Sequence, residues 1–251
     1  MLTPDERQVF ERDGVVALRG AANAAAVGEL RAALQARIAA SAATLTPSQL
    51  ADLAKQHEFA ATWGPRVMGA VDDLLGSGRW ELPKAAGQVL FASAPTPGAR
   101  WDVPHSVWHL DYSAPGSART LPGVQLFVCL DRVAPRAGGT VVIAGVHRAI
   151  DGIRRRAGDA WPGRSKDVRR ELHRASRWFR DLCSTRPGED RVGRFMAGAG
   201  DQVCESLRVV ELTGEPGDVH VVHPWSIHAP APSCGDRPRL ALSERIRARE
   251  G

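Results

Sequence analysis

From Gly87 onward the chain is written in short apolar runs separated by turns rich in Gly and Pro: 89–92, 124–130, 140–144, 209–212, 219–222 and 240–246. Runs this short have the length of strands and fall short of a core helix. Short, numerous strands bury their apolar faces chiefly against one another, so a sandwich or barrel is the architecture expected. One stretch breaks the pattern. Residues 151–186 carry 10 Arg and 1 Lys against 5 acids, a local net of +6, with helix-forming composition around Asp167-Val168-Arg169-Arg170-Glu171-Leu172. We read about 150–186 as a helical insertion over one mouth of the β-structure.

Residues 1–86 read as a mainly helical N-terminal part of the same domain. Thr3-Pro4-Asp5-Glu6 combines a capping hydroxyl, a proline at the first helical position and a Glu three residues after the cap, which predicts a short helix to about Asp13. Gly14 supplies its stop, and residues 15–18 read as a strand. Val27, Leu30, Leu34 and Ile38 are spaced along one face of a helix over about 23–40, and 47–55 and 67–75 also look helical.

Charge and cysteine usage narrow the function classes. The chain has 33 Lys+Arg against 28 Asp+Glu, a net of +5, and with the insertion set aside the other 215 residues sum to −1. Without a nucleic-acid motif, that distribution argues against a nucleic-acid partner. No apolar run is long enough to span a membrane, and Cys129, Cys183, Cys204 and Cys234 lack metal-ligand or disulfide spacing. A soluble cytoplasmic protein is expected; the sequence is silent on oligomeric state.

The chemistry is concentrated in two places. In Trp108-His109-Leu110-Asp111-Tyr112 an imidazole and a carboxylate lie two residues apart, and on a strand they would project from one face. A second His from a distant strand would complete a two-His, one-carboxylate facial triad, which leaves other metal positions open. The turn Glu215-Pro216-Gly217-Asp218 leads into a strand followed by His223-Pro224-Trp225-Ser226-Ile227-His228, so His220, His223 and His228 are the choices for that ligand. Eleven residues past His228, Arg239 opens a strand that places Arg239, Ala241 and Ser243 on one face. An inward Arg beside a metal is a carboxylate clamp.

These stretches, with Phe10, the run from Asp13 to Gly20, Gly138-Gly139-Thr140 and Gly145-Val146-His147-Arg148, resemble the phytanoyl-CoA dioxygenase family of Fe(II)- and 2-oxoglutarate-dependent oxygenases from about residue 9 to the end. The resemblance implies a double-stranded β-helix (jelly-roll) core with flanking helices. It implies iron bound by His109, Asp111 and His228, and Arg239 paired with the distal carboxylate of 2-oxoglutarate. The cofactor set is then Fe(II), 2-oxoglutarate and dioxygen (O2), with succinate and carbon dioxide released. Two features depart from or qualify the pattern. The family often has a hydroxyl residue two positions after the distal histidine, where this chain has Pro230; Ser243 is expected to compensate. Related halogenases replace the carboxylate of the triad with a small residue, whereas Asp111 is kept, which favours oxidation of substrate over halogenation.

Beyond the triad, Gln125 and Phe127 share a face with Cys129 and are expected to line the cosubstrate pocket. Trp108, Tyr112 and Trp225 are the candidates for a substrate wall, with His105 a weaker one that reads equally as a surface loop residue. The Arg-rich insertion is either a solvated face or a lid for an anionic or carrier-tethered substrate. Oxidation, with hydroxylation foremost, of a small-molecule metabolite in specialised biosynthesis is the expected function. The alternatives are a cupin-like metal isomerase or lyase that does not use 2-oxoglutarate, and a non-catalytic binding module.

Overall fold

The computed structural model describes residues 1–40, 59–81, 87–92, 100–113, 120–158, 161, 163–235 and 238–249; the helix expected over 47–55, and His57, lie outside them. Helix α1 (Pro4–Asp13) starts as its capping box dictates: Thr3 Oγ accepts from the Glu6 amide at 3.2 Å and Glu6 Oε2 accepts from the Thr3 amide at 2.9 Å. It ends at Gly14, whose φ of 71° is left-handed. A β-carbon there would meet His147 Nδ1 at 2.5 Å, so backbone conformation and close packing both require glycine. Strand β1 (Val15–Leu18) follows, then α2 (Ala24–Ala40), a 3-10 turn (Phe59–Thr62) and α3 (Pro65–Leu75).

Among the described residues nine strands form two antiparallel sheets. Beyond β1 they are β2 (Gln88–Ala92), β3 (Gly123–Cys129), β4 (Thr140–Ala144), β5 (Ala199–Asp201), β6 (Cys204–Glu211), β7 (Val219–Val222), β8 (His228–Pro230) and β9 (Arg239–Arg247). The larger sheet has the order β1-β7-β3-β9-β2 and the smaller β5-β6-β4-β8. This is the expected jelly-roll core with flanking helices.

Side-chain alternation sorts the strands into layers. Outward from the larger sheet, Val124, Leu126, Val128, Val219, Val221, Leu240, Leu242 and Ile246 pack with Phe10, Val27, Leu30, Leu34, Val67 and Val71 of the N-terminal helices. Outward from the smaller sheet, Val141, Ile143, Leu207, Val209 and Ala229 pack with the helices of the insertion. Between the sheets the apolar cluster is small, built on Val15, Phe127, Val142, Leu212 and Val222. Polar residues, among them Gln125, Thr140, His220, Arg239 and Ser243, take other buried positions between the sheets, and the site is built from them.

The insertion is longer than expected. Helices α4 (Val146–Ala157), α5 (Ser165–Ala175), α6 (Arg177–Leu182) and α7 (Arg191–Ala197) begin before residue 150 and continue past 186. Much of its positive charge is neutralised internally. Arg164 and Arg170 pair with Asp167, Arg174 with Glu171, Arg186 with Asp181, and Arg194 with both Asp181 and Glu189. No helix among the described residues is long and apolar enough to cross a membrane.

Candidate metal centre between the two sheets

His109 and Asp111 do not lie on a strand as expected. The chain around them is irregular, and His109 joins the smaller sheet through one bridge, exchanging 2.9 and 3.0 Å backbone hydrogen bonds with His228. That contact brings the side chains together as the sequence pattern required. Donor atoms of His109, Asp111 and His228 lie within 4.8 Å of one another. His109 Nε2 is 3.7 Å from Asp111 Oδ1, and His228 Nε2 is 3.5 Å from Asp111 Oδ2.

The imidazoles are oriented from behind. His109 Nδ1 lies 2.9 Å from the Val107 carbonyl and His228 Nδ1 3.4 Å from that of Ser226. A carbonyl partner at Nδ1 favours the tautomer protonated there, the one that would leave Nε2 free to bind a metal in place of its contact with Asp111. Burial and the neighbouring His228 lower the His109 pKa, favouring the neutral ligand form. Burial would raise the Asp111 carboxyl, but hydrogen bonds and charge from His228, the Gln125 amide and His109 outweigh it and hold the carboxyl at about 2. The donor set therefore fits a divalent ion such as Fe(II). With metal–ligand bonds of roughly 2.0–2.2 Å, neighbouring donors stand about 3 Å apart, so the three side chains would draw together on an ion.

Of the three histidines left open for the second imidazole ligand, His228 is the one that meets His109 and Asp111. His220 lies on β7 in a separate inter-sheet cavity, with Nε2 3.2 Å from the Thr213 carbonyl. His223 stacks on His147 at 4.6 Å and accepts the Trp225 amide at Nδ1. Burial lowers both of these stacked histidines, His147 to about 4 and His223 well below its ordinary value.

Arg239 sits in the cavity with His220, Phe127, Cys129 and Thr140. It is 6% exposed, and its Nε donates to the Gly138 carbonyl at 2.6 Å. Burial lowers the guanidinium to about 10, so it remains cationic at neutral pH. Among the described residues no carboxylate forms an ion pair with it. Phe127 connects the two places, since it lines this cavity and stands edge-on to His228 at 5.7 Å.

Gln125 and Ser243 have a different placement from the one expected. Gln125 Nε2 donates to Asp111 Oδ2 at 2.6 Å and to Ser243 Oγ at 2.8 Å, so this pair holds the carboxylate rather than offering free groups to a cosubstrate. A hydroxyl that the sequence does not single out does lie near Pro230. Thr140 is opposite Pro230 in the β4–β8 register and lines the Arg239 cavity. Only the strand pairing reveals that relationship.

The expected aromatic wall separates into core and cleft. Trp108 is 1% exposed, packs in the core beneath the insertion and donates Nε1 to the Pro104 carbonyl. Tyr112 is buried, with its hydroxyl on the Val124 and Ile246 carbonyls of β3 and β9. In each, burial covers the ring and a backbone carbonyl takes up the polar end. His105 is an exposed loop residue. Trp225 alone of the group lines a large cleft, of about 660 Å³, together with Phe10, Glu11, His147, Arg148 and Asp151.

Solved structures with this fold include the non-heme alpha ketoglutarate dependent epimerase SnoN from nogalamycin biosynthesis, at 17% identity and a TM-score of 0.52, covering 97% of this chain and 81% of that one. HygX from Streptomyces hygroscopicus, with nickel and 2-oxoglutarate bound, aligns at 14% identity and a TM-score of 0.53 over 99% and 88%. EctD from S. alaskensis, with 2-oxoglutarate and 5-hydroxyectoine, gives 17%, 0.52, 98% and 76%. At such identities the likeness is one of fold. No curated protein matches the chain by sequence. The family model for phytanoyl-CoA dioxygenase (PhyH) matches residues 10–241, a span that includes the three convergent side chains and Arg239. The chain belongs to the phytanoyl-CoA dioxygenase family, and with it to the non-haem iron enzymes that depend on 2-oxoglutarate.

Proposed function

We propose that the protein is a single-domain cytoplasmic oxygenase that hydroxylates an unactivated C–H bond of a small-molecule metabolite in specialised biosynthesis. The observation that carries this reading is the convergence of His109, Asp111 and His228 beside an inter-sheet cavity that holds the buried, unpaired cation of Arg239. His109, Asp111 and His228 would hold Fe(II). Arg239, with the Thr140 hydroxyl, would take the distal carboxylate of 2-oxoglutarate, and Phe127 would floor its pocket. Iron with 2-oxoglutarate and O2 supplies the oxidation of the C–H bond, with succinate and carbon dioxide as coproducts.

The chain's own contribution is positional. Gln125 fixes the Asp111 carboxylate, and the two backbone carbonyls fix the imidazoles. The cleft lined by Trp225, Phe10 and His147 is large enough for a metabolite and adjoins the segment leading to His228; we assign it to the substrate. Arg148 on its wall forms no ion pair among the described residues and suits an anionic group. Specialised metabolism is in keeping with SnoN and HygX, and the cytoplasm with four free cysteines.

The test is anaerobic reconstitution of the purified protein with Fe(II) and 2-oxoglutarate, following the visible metal-to-ligand charge-transfer absorption. The band is expected in the wild type, absent in His109→Ala and weakened in Arg239→Ala; substrates would then be screened by succinate release. Bound iron without the band would mean that the keto acid is not chelated, and a metal isomerase or lyase would replace the oxygenase reading.

A further inference from the structure

The segment that presents His109 gains little from sheet pairing. Residues 100–113 contain no strand, and their one bridge is that of His109 with His228. Within the segment Val107 adopts φ 58°, a left-handed conformation that a β-branched residue takes up only under constraint. Its side chain is 59% exposed, so packing of that side chain does not supply the constraint. The carbonyl of this strained residue is the one that meets His109 Nδ1.

The constraint comes from the insertion. Ser165 and Arg169 stand four residues apart on α5 and so share a face. Arg169 Nη1 donates to the Trp108 carbonyl at 2.7 Å, and the Leu110 amide donates to Ser165 Oγ at 3.1 Å. Peptide groups on either side of His109 are thus gripped by one helix. Upstream, Arg191 of α7 is 4% exposed and donates Nε to the Val103 carbonyl and Nη2 to that of Pro104, the same carbonyl that accepts Trp108 Nε1. Arg169 Nε is buried without a hydrogen-bond partner.

We propose that the helical insertion is a clamp that sets the orientation of His109, with Arg169 its principal positioning residue and Val107 the strained element it holds. This deepens the reading of His109 as a metal ligand and rests on it. It also gives part of the Arg-rich stretch a role other than a solvated face or a substrate lid.

The experiment titrates the full-length apoprotein with Co(II), alongside its thermal midpoint. Arg169→Ala is expected to weaken Co(II) binding about 10–100-fold, the range for losing a residue that supports a metal ligand. Arg170→Ala, which removes the neighbouring pair with Asp167, is expected to leave it unchanged. Val107→Gly added to Arg169→Ala is expected to restore much of the affinity, because glycine adopts the left-handed conformation without steric cost. General damage to α5 would not be repaired by a glycine so far from it in sequence. If Arg169→Ala does not fold, Ser165→Ala carries the test, with a few-fold loss expected and the same rescue. Wild-type affinity in a folded Arg169→Ala or Ser165→Ala protein, or a loss that Val107→Gly does not mend, overturns the clamp. His109→Ala separates the two ideas. If it binds Co(II) like the wild type, the ligand reading fails and the clamp with it; if it alone loses Co(II), only the clamp fails.

Discussion

Glu244 occupies a position on β9 between Leu242 and Ile246, on the face that packs against the N-terminal helices. It is 5% exposed, and its Oε2 has no hydrogen-bond partner. The Trp63 indole stands beside it, outside hydrogen-bond geometry, and offsets only part of the cost. Burial is the dominant influence, and it raises the carboxyl from 4.5 to about 7. A carboxyl whose folded pKa is raised binds more protons folded than unfolded between those two values, so stability falls as pH rises from about 4.5 and levels off above about 7. At roughly 1.4 kcal/mol per pKa unit, the loss at pH 8.5 is about 3 kcal/mol; at pH 5 it is under about 1 kcal/mol. Glu244→Gln keeps the shape and removes the titration. Urea unfolding of the two proteins at pH 5 and 8.5 should show the variant more stable by about 3 kcal/mol at the higher pH and close to the wild type at the lower. A variant no more stable at pH 8.5, or a difference that does not change with pH, would refute the reasoning.

Two further outcomes follow from the contacts around the site. Tyr112→Phe should cost about 1 kcal/mol in denaturant unfolding, the worth of a typical hydrogen bond, and leave the substrate KM unchanged; a KM effect without a stability effect would return Tyr112 to the substrate wall. Gln125→Ala should weaken Fe(II) binding by about 10–100-fold, measured by anaerobic titration, because Asp111 loses the amide that fixes it; Gln125→Glu should be worse, since it sets one carboxylate against another.

Local signals carried most of the architecture. The capping box at Thr3, Gly14 and the apolar spacing of α2 and α3 located the N-terminal elements, because those structures depend on neighbours along the chain. Alternation correctly placed Arg239 and Ser243 on one face of β9. The triad was legible for a different reason, its residue types and order, although the expected strand at His109–Asp111 proved to be a single bridge. What could not be read depends on contacts across the fold. Thr140 facing Pro230 is a matter of register between distant strands. Gln125 reaching Asp111, and Arg169 reaching the Trp108 carbonyl, are decided by where a helix and a loop come to rest. The burial of Trp108 and Tyr112 was equally hidden, because aromatic residues beside a site and aromatic residues beneath it look alike in a sequence.

The thin apolar seam between the sheets has a mechanical consequence. Each sheet has its larger apolar core against the helices on its outer side, and a smaller cluster lies between the two. Asp111 is tied to the larger sheet through Gln125, and His109 and His228 are tied to the smaller. An ion held by all three would join both sheets, and its binding energy would add to their cohesion. Loading the catalyst would then also tighten the body, adding a metal-borne link to the one that the Asp13–Arg208 ion pair already makes between the two sides.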